Sequence, residues 1–220
     1  MPNDIRTHAL VLRRTNYGES DRILNLITPV GKIAVLARSV RKEKSRLAGA
    51  VELFTVSDVV IHEGRGKLAT LTGAKMLSFY HKILSDLALL ELASTFLKKI
   101  ERAAEQTDNP EFFEIVNQAL SGLNDGISPE LVALWFDFNL FCATGEEINL
   151  LYDIRGEKLV AKQQYTWDDI EQALSPDPQG AIGANEIKLA RLILGAKLKI
   201  VASVDKVEEI LPRIAHIPKK

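Results

Sequence analysis

The side chains with most to offer chemically are cations. Arg38, Arg41, Lys42, Lys44 and Arg46 fall within nine residues that contain one acid, Glu43, and apolar runs flank them on both sides. Strands on either side would fix the ends of such a loop while its long side chains reach outward, an arrangement that presents positive charge to a phosphate backbone. The same run also reads as a loop whose charges only keep it solvated. A second candidate is Gly64-Arg65-Gly66-Lys67. Its glycines are too close together for a Walker loop and no Ser or Thr follows, so it reads as a hairpin turn, with Arg65 and Lys67 as further phosphate contacts.

Other reactive side chains form no constellation. His8, His62, His81 and His216 are scattered, and Glu146-Glu147, Asp168-Asp169 and Glu208-Glu209 are sequence neighbours that do not share a helix face. They read as caps or solvated faces. The single cysteine, Cys142, rules out an internal disulfide and a multi-cysteine zinc cluster, and its apolar surroundings favour an inert thiol over a nucleophile. No catalytic residues, metal or cofactor are expected.

Composition agrees with a globular chain able to build a core: 220 residues, 46% hydrophobic and 26% charged. No long apolar run or signal-peptide layout is visible, which predicts a cytoplasmic protein without a membrane partner. The net charge of -1 conceals an asymmetry. Residues 1–80 carry 13 Lys+Arg against 7 Asp+Glu, and residues 81–220 carry 15 against 22. A polyanion partner is therefore expected on the N-terminal third.

The elements that must position these cations are read from periodicity. Short apolar runs at 9–12, 23–28, 33–37, 53–61 and 68–71, separated by turn signals, predict five strands and a small barrel. Near Tyr80 the period changes. Ile83, Leu87, Leu90, Leu97 and Ile100 predict one face of a long helix ending before Thr107. Asn109-Pro110 and Ser128-Pro129 each read as a cap followed by proline at the first helical position. The first opens a helix over 111–120; the second opens one carrying Leu131, Trp135, Phe138 and Cys142 on one stripe and stopping at Gly145. Beyond it, 159–161 reads as a strand, Thr166-Trp167-Asp168-Asp169 as a capping box for a helix to Leu174, 186–196 as a helix, and 205–215 as a last helix bent at Pro212.

An oligonucleotide-binding barrel holds its ligand on the face of strands 2 and 3 and on the loops joining strands 1 to 2 and 4 to 5. Here those loops contain Tyr17 and Arg65, strand 1 ends in Arg13 and Arg14, and strand 2 begins at Arg22. Tyr17 is placed either to stack a base or to pack on the barrel.

These residues resemble the bacterial recombination mediator RecO family. The likeness is carried by Ala9-Leu10-Val11-Leu12-Arg13-Arg14, Tyr17-Gly18-Glu19-Ser20-Asp21-Arg22-Ile23, Thr28-Pro29-Val30-Gly31-Lys32, Ala37-Arg38-Ser39-Val40-Arg41-Lys42, Lys44-Ser45-Arg46-Leu47, Leu53-Phe54-Thr55 and Gly64-Arg65-Gly66. Phe136-Asp137-Phe138-Asn139-Leu140 with Gly145 and Asn149-Leu150 continues it more loosely. Many family members place a four-cysteine zinc cluster beyond that point, and this chain has no cysteine there.

The resemblance implies an α+β multidomain protein, with an N-terminal five-stranded OB-fold β-barrel at 1–79 and a mostly α-helical domain at 80–220 without a zinc cluster. It implies a non-catalytic, nucleoid-associated protein that binds single- and double-stranded DNA and promotes strand annealing. RecR and single-stranded-DNA-binding protein would be partners, and RecA an indirect one. The main phosphate contacts would be Arg38, Arg41, Lys42, Lys44 and Arg46, flanked by Arg13, Arg14, Arg22, Lys32, Arg65 and Lys67. The alternative is an OB-fold adaptor that binds proteins and little or no DNA.

Overall fold

In the computed structural model, which describes residues 3–64, 68–215 and 217, alternation of inward apolar and outward polar side chains sets five strands. They are β1 (Asn3–Tyr17), β2 (Asp21–Thr28), β3 (Gly31–Ala37), β4 (Thr55–Glu63) and β5 (Ala69–Phe79). β1 pairs antiparallel with both β2 and β4, β2 with β3, and β4 with β5. A short parallel pairing, Val35 with Ala69 and Leu36 with Thr70, closes the barrel in the order β1-β2-β3-β5-β4. Its interior is filled by Val11, Leu24, Leu26, Val35, Ala37, Val59, Ile61 and Leu71, side chains stiff or bulky enough to favour a pleated surface.

All five expected strands form, and two are much longer than their apolar runs. β1 begins at Asn3 because exposed Asp4, Arg6 and His8 alternate with Ile5 and Thr7, so charge hides a strand from a hydrophobicity reading. β5 continues to Phe79 although Lys75 to Phe79 are all exposed; pairing with β4 holds it extended.

The molecule divides into two compact units, Met1–Asn124 and Asp125–Lys220. The first adds two helices to the barrel. α1 (Leu87–Gln106) starts where Asp86 Oδ1 accepts the N–H groups of Ala88 and Leu89, and it ends before Thr107 as expected. That cap leaves Ile83 outside the helix, as the buried residue of a 3-10 turn, and turns Leu87 to solvent at 70% exposure. So two of the five residues assigned to one helical face do not lie on it. α2 (Glu111–Asp125) opens on Asn109, whose Oδ1 accepts the Glu111 N–H, and runs past Leu120.

In the second unit α3 (Pro129–Ala143) buries Leu131, Trp135 and Phe138 and gives way to Gly145 at φ +91°. The Trp135 indole N–H donates to the Ala196 carbonyl. α4 (Ala184–Gly195), α5 (Leu198–Ala202) and α6 (Val207–Ile214) complete the helices, with Pro212 inside α6.

The helix expected from Thr166 to Leu174 is instead a hairpin. β6 (Asn149–Asp153), β7 (Tyr165–Asp168) and β8 (Ala173–Pro176) form a sheet in the order β6-β8-β7. Tyr165 and Trp167 are buried while Thr166 is exposed, a period of two. Asp168 Oδ1 does accept two N–H groups, those of Ile170 and Glu171, but it caps the turn between β7 and β8. Asx turns and helix N-caps use the same bonds, and only the following residues distinguish them. Nor do residues 159–161 form a strand. Leu159 donates back to the Leu151 carbonyl beside β6, and the turn between is organised by buried Asp153, which accepts the N–H groups of Arg155 and Glu157.

Candidate nucleic-acid interface

The basic loop leaves β3 at Ala37 and is pinned from within. Val40 is 2% exposed, belongs to the barrel core, and has Leu47 packed against the same cluster. Ser39 adopts φ +54° and donates its N–H to Asp21 Oδ1 at 2.7 Å, which fixes the loop's first turn to the start of β2. Arg41 then donates its N–H to the Ser20 carbonyl and its guanidinium to the Gly18 carbonyl. Lys42 N–H to Ser39 and Ser45 N–H to Lys42 carbonyls fold the middle of the loop into successive turns. The apolar anchors face inward, so Arg38, Arg41, Lys42, Lys44 and Arg46 are all exposed. Among the described residues no carboxylate pairs with any of the five. The β1–β2 turn is held against this loop, so Tyr17, 55% exposed at the end of β1, stands beside it.

The flanking cations have a different environment. Arg14 and Arg22 both reach Glu52, the second at 3.2 Å, where the chain returns from the loop toward β4. Burial, and then the charge of Arg22, hold the Arg14 guanidinium below its ordinary value. Arg13 Nε donates to Glu101 on α1 at 2.9 Å, Asn25 donates to the same oxygen at 2.7 Å, and Lys32 meets Glu105 at 3.2 Å. Four of the nine predicted cations in the described chain are thus neutralised internally. Arg65 and Lys67 lie outside the described residues.

Sequence reasoning missed the acids that sort these cations, Glu52, Glu101 and Glu105, and the role of Asp21 in anchoring the loop. The spacing of Glu101 and Glu105 puts both on one face of α1 and is visible in the sequence, but their partners lie more than 70 residues away. Among the described residues no group of three or more His, Cys, Asp or Glu side chains is placed to hold a metal ion, and no helix is long and apolar enough to cross a membrane. Chemically, then, the site is a set of exposed cations on a fixed loop beside an aromatic ring. It can hold a polyanion by charge.

Comparison with known proteins points the same way. A family model described as Recombination protein O N terminal matches residues 1–80. A DNA repair protein RecO of Dehalococcoides mccartyi strain 195 is 32% identical over 200 residues, 87% of this chain and 79% of the relative. Its counterpart in strain CBDB1 is 36% identical over 146 residues, 66% of this chain. Another, from Bacillus cytotoxicus, is 34% identical over 142 residues, 64% of this chain. In the last two alignments the chain spans 57% of the relative's length.

Proposed function

This chain belongs to the RecO family of DNA repair proteins, and on that footing we propose that it is a non-catalytic recombination mediator whose residues 1–79 bind DNA through the 38–46 loop. The observation that carries the reading is the split among the cations. Arg38, Arg41, Lys42, Lys44 and Arg46 are exposed and, among the described residues, pair with no carboxylate, on a loop anchored by Val40, Leu47 and Asp21. A fixed array of cations meets a phosphate backbone at lower entropic cost than a floppy one. The contacts are to phosphates, so the loop positions a strand without reading its sequence. Tyr17 stacks a base next to the loop, and a stack of that kind is worth about 1–3 kcal/mol.

In this reading the barrel takes single- and double-stranded DNA and supports annealing. Residues 80–220 serve the protein partners: a RecR-like protein, single-stranded-DNA-binding protein and, indirectly, RecA. The place of action is the cytoplasm, at the nucleoid. A protein-binding adaptor is the second reading, favoured by the exposed Met76, Leu77 and Phe79 on β5. Anisotropy of a labelled single-stranded oligonucleotide across a salt series separates them. Replacing Arg41, Lys42 and Lys44 by alanine removes three phosphate contacts and should flatten the log–log salt slope by about 2. An unchanged slope rejects the loop as the site, and no binding by the native chain at low salt favours the adaptor.

A further inference from the structure

The outer face of β1, β2 and β3 is not open to a strand. Cross-strand register puts Arg13 opposite Asn25, and Asn25 opposite Ala34, in one outward row; Leu10, Ile27 and Lys32 form the next. Leu10 and Ile27 point away from the barrel interior yet are completely buried, and α1 packs on β1. Over the polar members of these rows stand carboxylates of α1. One Glu101 oxygen takes both Arg13 and Asn25, and Glu105 takes Lys32. The Asp108 carboxylate lies against Gly31, at φ +105° in the β2–β3 turn, where a methyl group would collide with it. The Glu101 and Glu105 carboxylates place anionic oxygens against cations that an OB-type barrel would offer to the phosphates of a bound strand.

We infer that the Glu101 and Glu105 carboxylates act as internal phosphate mimics, holding Arg13, Asn25 and Lys32 back from nucleic acid and confining the bound strand to the 38–46 loop. The inference rests on the polyanion-binding reading of the barrel and adds its regulation. The buried Leu10 and Ile27 keep α1 in place, so competition occurs by side-chain exchange rather than by lifting the helix. Arg13 is free to exchange because its side chain is 60% exposed; Lys32, at 20%, is the more firmly held of the two. Neutralising the carboxylates converts the β1–β2–β3 face into a second strip for a phosphate backbone, continuous in register with the strands that carry the loop.

The test is Glu101→Gln with Glu105→Gln in the full chain, measured by anisotropy with a labelled single-stranded oligonucleotide in a salt series. Amide remains similar in size to carboxylate and still accepts hydrogen bonds, so folding is disturbed little. Glu105→Gln alone, at a 60% exposed side chain, is the safer companion. Two freed cations steepen the log–log salt slope by about 1.4, and the single variant by about half of that. An unchanged slope in a folded double variant overturns the inference. Adding Arg13→Ala and Lys32→Ala to the double variant must abolish the gain; a gain that persists does not come from the freed Arg13 and Lys32 and also overturns it. The Arg41, Lys42 and Lys44 alanine variant tests the loop separately, so loss of the loop reading is distinguishable from loss of the carboxylate effect.

Discussion

Glu52 closes the basic loop onto the barrel, and removing it should expose a conflict that two arginines otherwise share. Arg14 and Arg22 are 25% and 23% exposed at the side chain, and the single Glu52 carboxylate, at 43%, is the acid that both reach. A charge-assisted bond contributes about 1.5–3 kcal/mol when protected from water, and an exposed ion pair about 0–1. The intermediate exposure here places each bond at about 1 kcal/mol. Glu52→Ala loses both and leaves two half-buried cations facing each other, for a total of about 2–3 kcal/mol. Arg22→Ala alone costs about 1 kcal/mol. The double variant, however, should be no less stable than Glu52→Ala, because deleting Arg22 also deletes the repulsion on Arg14. Coupling of this size, about 1 kcal/mol, is within the range for neighbouring charged groups. Amide hydrogen exchange of the β1–β2 ladder from Arg14 to Leu24 reads the local stability. Strictly additive losses would refute the shared-carboxylate argument.

Two further outcomes are expected in the second unit. A methyl group at Gly180 would strike the backbone of Tyr165, where the chain doubles back to pair with β7 through Ile182, so Gly180→Ala should destabilise that segment by about 1–3 kcal/mol; unchanged amide protection at Tyr165 and Ile182 would contradict this. The Ser128 hydroxyl, and to a lesser degree a backbone N–H, hold the Glu130 carboxyl below its ordinary value. Whatever stability Glu130 confers is therefore present above the unfolded-state value and lost as pH falls through the lower folded value. Ser128→Ala should move its midpoint upward in an NMR titration, and a stationary midpoint would exclude the hydroxyl as the cause.

What could be read from the sequence followed the locality of the forces. Turn chemistry at Gly18, Pro29 and Gly31 marked the first three strands, and Asn109-Pro110 and Ser128-Pro129 marked two helix starts, because each signal acts within a few residues. The failures share a cause. At Asp168 one side chain satisfies two N–H groups equally well in a turn or at a helix start, and burial of Tyr165 and Trp167 against exposed Thr166 decided for the strand. The cations were legible by type and their accessibility was not. Arg13 and Lys32 look like Arg41 and Lys42 in sequence, and only the return of α1 across β1–β3 separates the two pairs.

The chain's aromatic side chains provide the two units with separate optical signatures. Both tryptophans, Trp135 and Trp167, belong to Asp125–Lys220 and are buried there, whereas Tyr17 and Tyr80 belong to Met1–Asn124. Red-edge excitation therefore records unfolding of the second unit alone, with no labelling. Tyr152 and Tyr165 belong to the second unit, so the difference between native and Tyr17→Phe tyrosine emission would report the loop side of the barrel beside the tryptophan channel.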